Sequence, residues 1–225
     1  MKHATLFFLL GLLMCFTPWL YDGGWTWIIL WLGIDMILLG LAYARRDASV
    51  FGKQGDGSLA PARVLLFLPY LLFTWGVWRL CLLLPEPRTQ QINATLTVGR
   101  RLVSGHERPA SITTILDMTA EFAEPATVRN GIRYILLPTL DASAPSVETL
   151  VATLRTLQPD EHVFIHCAQG HGRTGLAALA LLLHRGEAGG IEEGLAMLRN
   201  IRPRIGLSPE QHSCLKQCLA RLRAS

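Results

Sequence analysis

The chain has 225 residues, room for one ordinary domain and something more, and a mean hydropathy of +0.31 with 17% charged residues is too apolar for a purely soluble protein. The 21 Lys/Arg and 17 Asp/Glu give a formal charge of +4, but residues 85–225 hold 15 against 13, a balance that excludes a nucleic-acid footprint. Five cysteines, an odd number, suggest no disulfide framework, and repeats and low-complexity segments are absent.

The apolar excess lies in residues 1–84, which read as a membrane region. Residues 4–20 follow Lys2, lack a small-x-small cleavage site, and carry Met14 where a lipoprotein box would not, so they read as an uncleaved helix. After Tyr21, Asp22, Gly23 and Gly24, residues 25–44 make a second span of about 20 residues, the length a bilayer requires. The next segment carries Arg45, Arg46, Lys53 and Arg63 and reads as cytoplasmic by its basic residues. A third run, residues 64–84, contains Pro69 and Arg79 and is expected to span as well, with Arg79 within reach of Asp35 as an ion-pair partner. Trp19, Tyr21, Trp25 and Trp27 mark an outer interface that Trp75 and Trp78 reach from the third span, which places the remainder of the chain outside the cytoplasm. Thiol chemistry pulls the other way, because an ionised cysteine is safer in a reducing compartment.

Residues 85–93, PEPRTQQIN, read as a polar linker and the domain boundary, leaving 94–225 as a domain. ATLTVG reads as an edge strand with LVSG as a partner, SITTILDM (Ser111 to Met118) as an inner strand, and IRYILLP (Ile132 to Pro138) as a second inner strand. A short helical stretch ends near Asn130, and residues 146–157 read as a helix capped by Ser146 that crosses back to the next strand. Such crossovers give an α/β fold with a mainly parallel sheet covered by helices. IEEGLAMLRNIRP is amphipathic and ends at Pro203, and SPEQHSCLKQCLARLR is a final helix capped by Ser208.

The chemistry concentrates in VFIHCAQGHGRTG, Val163 to Gly175. A β-branched and aromatic run reads as a buried strand, glycines punctuate a turn, and LAALALLLH reads as a helix. A loop feeding a helix N-terminus offers unpaired N–H groups and a positive dipole end to an anion. Cys167 opens that loop where the same field favours a thiolate, and Arg173 closes it with a planar fork suited to phosphate. GHGRTG also fits the dinucleotide fingerprint G-x-G-x-x-G, but a dinucleotide fold wants it early in a βαβ unit with an acid about 20 residues on, and only some fifty residues follow, which read as helical.

His166, Cys167, five intervening residues, Arg173 and Thr174 make the His-Cys-x5-Arg-Thr pattern, and the loop resembles that of the protein tyrosine phosphatase superfamily, most closely its compact dual-specificity branch in a bacterial, membrane-anchored form. The resemblance implies that Cys167 attacks phosphorus to give a phosphocysteine, that Ala168, Gln169, Gly170, His171, Gly172 and Arg173 hold the phosphate, that Thr174 assists the departing thiolate, and that His166 orients the loop. It implies neither cofactor nor metal. Asp141, on TLDASAPS before Pro145 and Ser146, matches the family's general acid, with Asp117 as the alternative at a strand end. Gln211 resembles the glutamine that positions hydrolytic water in the tyrosine-specific branch. Cys214 and Cys218, one helical turn apart, read as core packing rather than metal ligands, and Arg202, Pro203 and Arg204 as a solvated helix end.

The expected function is a multi-pass, bacterial inner-membrane phosphomonoester hydrolase with the bilayer as partner. Its substrate is a lipid phosphate or a phosphoprotein. Ala168 and Gln169 supply no lysine to the loop, which counts against a polyphosphorylated inositol lipid. The rival is a membrane scaffold that binds phosphate without hydrolysis.

Overall fold

The computed structural model describes residues 2–223. The chain divides into two units, one from the N-terminus to Gln54 with Ser58–Leu84 and Ala120–Phe122, the other comprising Gly55–Gly57, Pro85–Thr119 and the residues from Ala123 onward.

The first unit begins with α1 (Lys2–Cys15), α2 (Thr17–Leu20) and α3 (Trp25–Arg45). The helical stretch His3–Leu20 and α3 are long and apolar enough to cross a membrane. Leu6, Leu9, Leu13, Trp19, Trp27 and Ile28 are all exposed on these helices. α1 and α3 approach at glycines: a Cβ on Gly40 would lie 3.0 Å from the Ala4 carbonyl oxygen and the Phe8 nitrogen, and one on Gly33 3.0 Å from the Gly11 carbonyl oxygen. Small residues at such a seam let the two backbones approach closely.

The run expected to be a third span is broken into α4 (Pro61–Leu66) and α5 (Leu68–Cys81), with Phe67 leaving helical geometry at φ −94°, ψ 17°. Pro69 is the cause, since it lacks an N–H and its ring clashes with the carbonyl four residues back. The 14 residues of α5 extend only about 21 Å, short of a hydrocarbon core of about 30 Å. The expected Asp35–Arg79 pair is replaced by another arrangement. Asp35 is fully buried and its Oδ2 accepts the Tyr70 N–H at 3.3 Å, an orphan donor of the first turn of α5 facing the positive end of the helix dipole. Arg79 lies over the Trp78 ring at 5.7 Å.

The second unit is built on five strands, β1 (Thr89–Asn93), β2 (Leu96–Arg100), β3 (Thr114–Thr119), β4 (Arg133–Thr139) and β5 (Val163–Cys167), in the order β1-β2-β5-β3-β4. Only β1 and β2 pair antiparallel, so the sheet is mainly parallel as the crossovers require. Helices α6 (Ala126–Arg129), α7 (Val147–Thr156), α8 (Gly172–His184), α9 (Ile191–Ile201) and α10 (Pro209–Arg223) complete it.

Two strand readings change. The segment read as a linker supplies β1, which takes the edge, because Asn93 accepts the Thr95 N–H at 2.9 Å and turns the polar strand TQQIN back on β2. LVSG makes no strand. β4 lies at the opposite edge instead of inside, which suits its mostly half-buried side chains. β5 is central, buried at all five residues and paired on both sides. Ser146 caps α7 as expected, its side chain accepting the Thr149 N–H at 3.1 Å. The core packs Leu116, Met118 and Ile165 of the sheet against Leu176, Leu179 and Leu198 of the helices, each contributing about 1.5–3 kcal/mol on burial.

Candidate active site

β5 ends at Cys167, and the chain turns at once into α8. The turn depends on Gly170, whose φ of +74° is left-handed and where a Cβ would sit 2.2 Å from the Gly99 carbonyl oxygen. The Gly170 N–H donates to Cys167 Sγ at 3.3 Å, so the loop aims a backbone amide at the sulfur. Gly170→Ala is expected to lower kcat/KM for para-nitrophenyl phosphate by about tenfold or more, since a left-handed alanine alone costs about 1–2 kcal/mol. Steady-state kinetics on the full chain checks this.

Arg173 sits in the first turn of α8 and is 2% exposed. Its Nη1 donates to the Thr139 carbonyl at 2.8 Å and the Met118 carbonyl at 3.4 Å, at the ends of β4 and β3, and its Nη2 lies 3.2 Å from Asp141 Oδ1. Asp141 is 76% exposed on the loop after β4, and the next residue, Ala142, has a left-handed φ of 57°. A strained non-glycine position on a loop that carries a carboxylate to a buried guanidinium marks a functional segment. Thr174 is fully buried, and its Oγ1 has no hydrogen-bond partner among the described residues, which leaves the hydroxyl available to a neighbouring anion.

His166 is fully buried on β5, with Nδ1 3.9 Å from Asp117 Oδ1 and Nε2 3.9 Å from Glu124 Oε1. Asp117 is spent on structure: its Oδ1 accepts from the Thr119 N–H and hydroxyl at 2.7 and 2.8 Å, and its Oδ2 from the Tyr134 hydroxyl at 2.8 Å. Burial, then the Asp117 charge, pushes the Tyr134 hydroxyl well above the usual phenol range, so it stays a donor. Asp117, Glu124 and His166 are the one group of buried metal-type ligands among the described residues, their ligand atoms within 4.8 Å of one another. The two Asp117 oxygens are already taken by protein donors, so this carboxylate is committed to the strand ends beside His166.

Gln211 is buried beside the loop, its amide 3.3–3.4 Å from where a Cβ on Gly172 would be. Its Oε1 accepts the Ser208 N–H at 3.0 Å and its Nε2 donates to the Ser143 carbonyl at 2.9 Å, which ties α10 to the Asp141 loop. Cys214 and Cys218 pack in the core, and burial, with Cys214 adding, pushes the Cys218 thiol up to about 11.

The solvated helix end is overturned. Arg202 is fully buried against the loop, while Arg204 remains exposed. Pro87 and Gln90, two of the partners of Arg202, and its counter-ion Glu86 lie in the segment read as a linker. An arginine before the proline that ends an amphipathic helix was the available signal.

A loop that turns amides toward a sulfur and is closed by a guanidinium fits a tetrahedral oxyanion, and with a carboxylate reaching that guanidinium the class is that of the cysteine-dependent phosphatases. Known proteins agree. Residues 106–187 match the family described as "Polymorphic toxin system, DSP-PTPase phosphatase". These likenesses put residues 106–187 with the dual-specificity branch of the protein tyrosine phosphatase superfamily. Protein 197R of Invertebrate iridescent virus 6, named as a candidate tyrosine phosphatase, is 35% identical over 66 residues, covering 26% of this chain and about a quarter (25%) of the viral one. The crystal structure of Tk-PTP in its active form is 25% identical with a TM-score of 0.53, covering 60% of this chain and 98% of that one. The structure of PTPMT1 in complex with PI(5)P shares the fold at 18% identity and a TM-score of 0.52, covering 61% of this chain and 97% of that one.

Proposed function

We propose that this chain is a membrane-anchored phosphomonoester hydrolase that works through a phosphocysteine. The carrying observation is the contact of 3.2 Å between Asp141 and Arg173, beside a loop whose Gly170 amide points at Cys167. Cys167 thiolate attacks phosphorus, the bond to the leaving oxygen breaks, and Asp141 gives that oxygen its proton. Arg173 and the loop amides hold the equatorial oxygens as charge develops. Water then attacks the phosphocysteine, Asp141 takes its proton, and the S–P bond breaks to release phosphate and a thiolate to which the Thr174 hydroxyl donates. His166 braces the loop from below. Gln211, with both ends of its amide engaged, steadies the Asp141 loop, and orienting the water would require it to release Ser208.

The substrate is a lipid phosphomonoester. Two apolar helices of membrane-spanning length support an anchor in a bilayer, where lipid phosphates are concentrated, and the loop lacks the lysines suited to a polyphosphorylated head group. PTPMT1, which shares the fold, is described with PI(5)P. The anchor is multi-pass in an inner membrane; with two helices of spanning length and the basic segment after the second on the cytoplasmic face, the domain lies on the cytoplasmic side, and a reporter fused to the C-terminus reads that side directly.

Purified full-length protein is expected to hydrolyse para-nitrophenyl phosphate, with vanadate inhibiting and EDTA without effect, and to yield a phosphorylated Cys167 peptide on rapid acid quench. Phosphate binding with no turnover and no trapped phosphothiol overturns the reading in favour of a scaffold. Phosphatidate and phosphatidylglycerol phosphate are expected to be cleaved in preference to phosphotyrosine peptides. Asp141→Asn is expected to slow hydrolysis of an alkyl phosphate by about 10²-fold or more. The slowing is smaller for para-nitrophenyl phosphate, whose leaving group needs less protonation. Equal rates of both substrates in variant and wild type would remove Asp141 from the role.

A further inference from the structure

Arg202 is a fully buried charge that the chemistry above leaves unused. Its Nε donates to the Gly170 carbonyl at 2.8 Å and its Nη2 to the Gln169 carbonyl at 2.9 Å. Its Nη1 donates to the Pro87 carbonyl at 3.0 Å and to Gln90 Oε1 at 2.8 Å. Two of these acceptors belong to the phosphate loop, and a peptide unit is planar, so fixing the carbonyl fixes the following N–H in the opposite direction. With the Gln169 carbonyl held outward, the Gly170 N–H turns inward, where it meets Cys167 Sγ at 3.3 Å. With the Gly170 carbonyl held outward, the His171 N–H is turned the same way.

Glu86 is the counter-ion of this arrangement. Its carboxylate lies 3.4 Å from Arg202 Nη2 and 2.9 and 3.1 Å from Nε2 of His171 in the loop, with Arg100 and Arg204 each at 4.0 Å. It is 13% exposed, and Arg100 donates to its backbone carbonyl, so the residue is fixed at both ends. Burial alone would raise its carboxyl, but the His171 hydrogen bond and the Arg202 charge outweigh that and hold it below the usual carboxylate range. In sequence Glu86 stands two residues after Leu84, where the first unit ends.

We infer that Glu86 is a positioning residue, which holds Arg202 and His171 in place and through them keeps the phosphate loop in its anion-ready form. The inference rests on the reading of this loop as a phosphate site. A residue of this kind sets the fraction of molecules whose loop is competent. Apparent affinity falls with that fraction, whereas saturating anion restores the competent loop, so KM rises while kcat holds.

The test uses the full chain in detergent micelles with two readouts. One is protection of Cys167 by arsenate against iodoacetamide, followed by mass spectrometry, and the other is turnover of para-nitrophenyl phosphate. In Glu86→Gln and Glu86→Ala the arsenate midpoint and KM are expected to rise about tenfold with kcat within about twofold of wild type. Arg202→Lys, which keeps the charge but loses the fork, is expected to shift both in the same direction. Melting curves identify a variant that does not fold, and Glu86→Gln, being isosteric, is then scored alone. An unchanged midpoint and KM overturn the inference, as does a loss confined to kcat. A fall in KM also overturns it, because Glu86 would then be an anion competing with substrate. If the wild type is protected by arsenate yet hydrolyses nothing, the proposed activity fails while the Glu86 inference is still decided by protection.

Discussion

Cys167→Ser is expected to abolish turnover of para-nitrophenyl phosphate, a loss on the order of 10⁴–10⁶-fold, the range for removing the nucleophile of a covalent mechanism. A serine hydroxyl at the same place is not ionised at neutral pH and is a far weaker nucleophile than a thiolate. The substitution is nearly isosteric at a position 4% exposed, so the variant is expected to fold and to keep binding phosphate, with a melting curve close to wild type. Turnover that persists in Cys167→Ser would mean that another group makes the bond to phosphorus. Neither Cys214 nor Cys218 could be that group from the core, where burial holds Cys218 in its thiol form.

Arg173→Lys is the second large effect, with an expected fall in kcat of about 10²–10³-fold, the size seen when one preorganised oxyanion donor is lost. The Arg173 fork is fixed by the Thr139 and Met118 carbonyls while its second nitrogen meets Asp141. A lysine ammonium is a point charge without that geometry, and it cannot satisfy the strand-end carbonyls and grip two phosphate oxygens together. The discriminating measurement is the split between kcat and KM. A loss confined to kcat means that Arg173 acts on the transition state, and a loss confined to KM would reduce it to a docking charge.

The central part of the site was legible because its signals are local. A buried strand, a cysteine, glycines, an arginine and an apolar helix lie within a dozen residues, and each demands the same turn. The helix capped by Ser146 and the apolar runs through Leu20 and Arg45 were legible for the same reason, as periodicity and length act along the chain. The strand order was less legible. ATLTVG and IRYILLP exchanged edge and interior because the polar segment TQQIN adds a strand whose alternation is weak and whose partner is set by one Asn93 turn. Asp35 was assigned a charged partner by chemistry alone, but its Oδ2 meets the Tyr70 backbone amide beside Pro69 instead.

The sequence by itself determined the loop that joins a buried strand to an apolar helix, the candidate residues it carries and the presence of apolar N-terminal helices, since these depend on contiguous patterns and on what each side chain can do. Only the tertiary structure decided which distant groups support the loop. Arg202 reads as a helix end and Glu86 as part of a linker until the fold buries one and lays the other across it, and then their charges pair because the guanidinium has no water and the carboxylate little. Burial is a property of the packed chain and leaves no periodic trace at a single charged residue, which is why the loop that holds Cys167 could be read in one line of sequence and its supports could not.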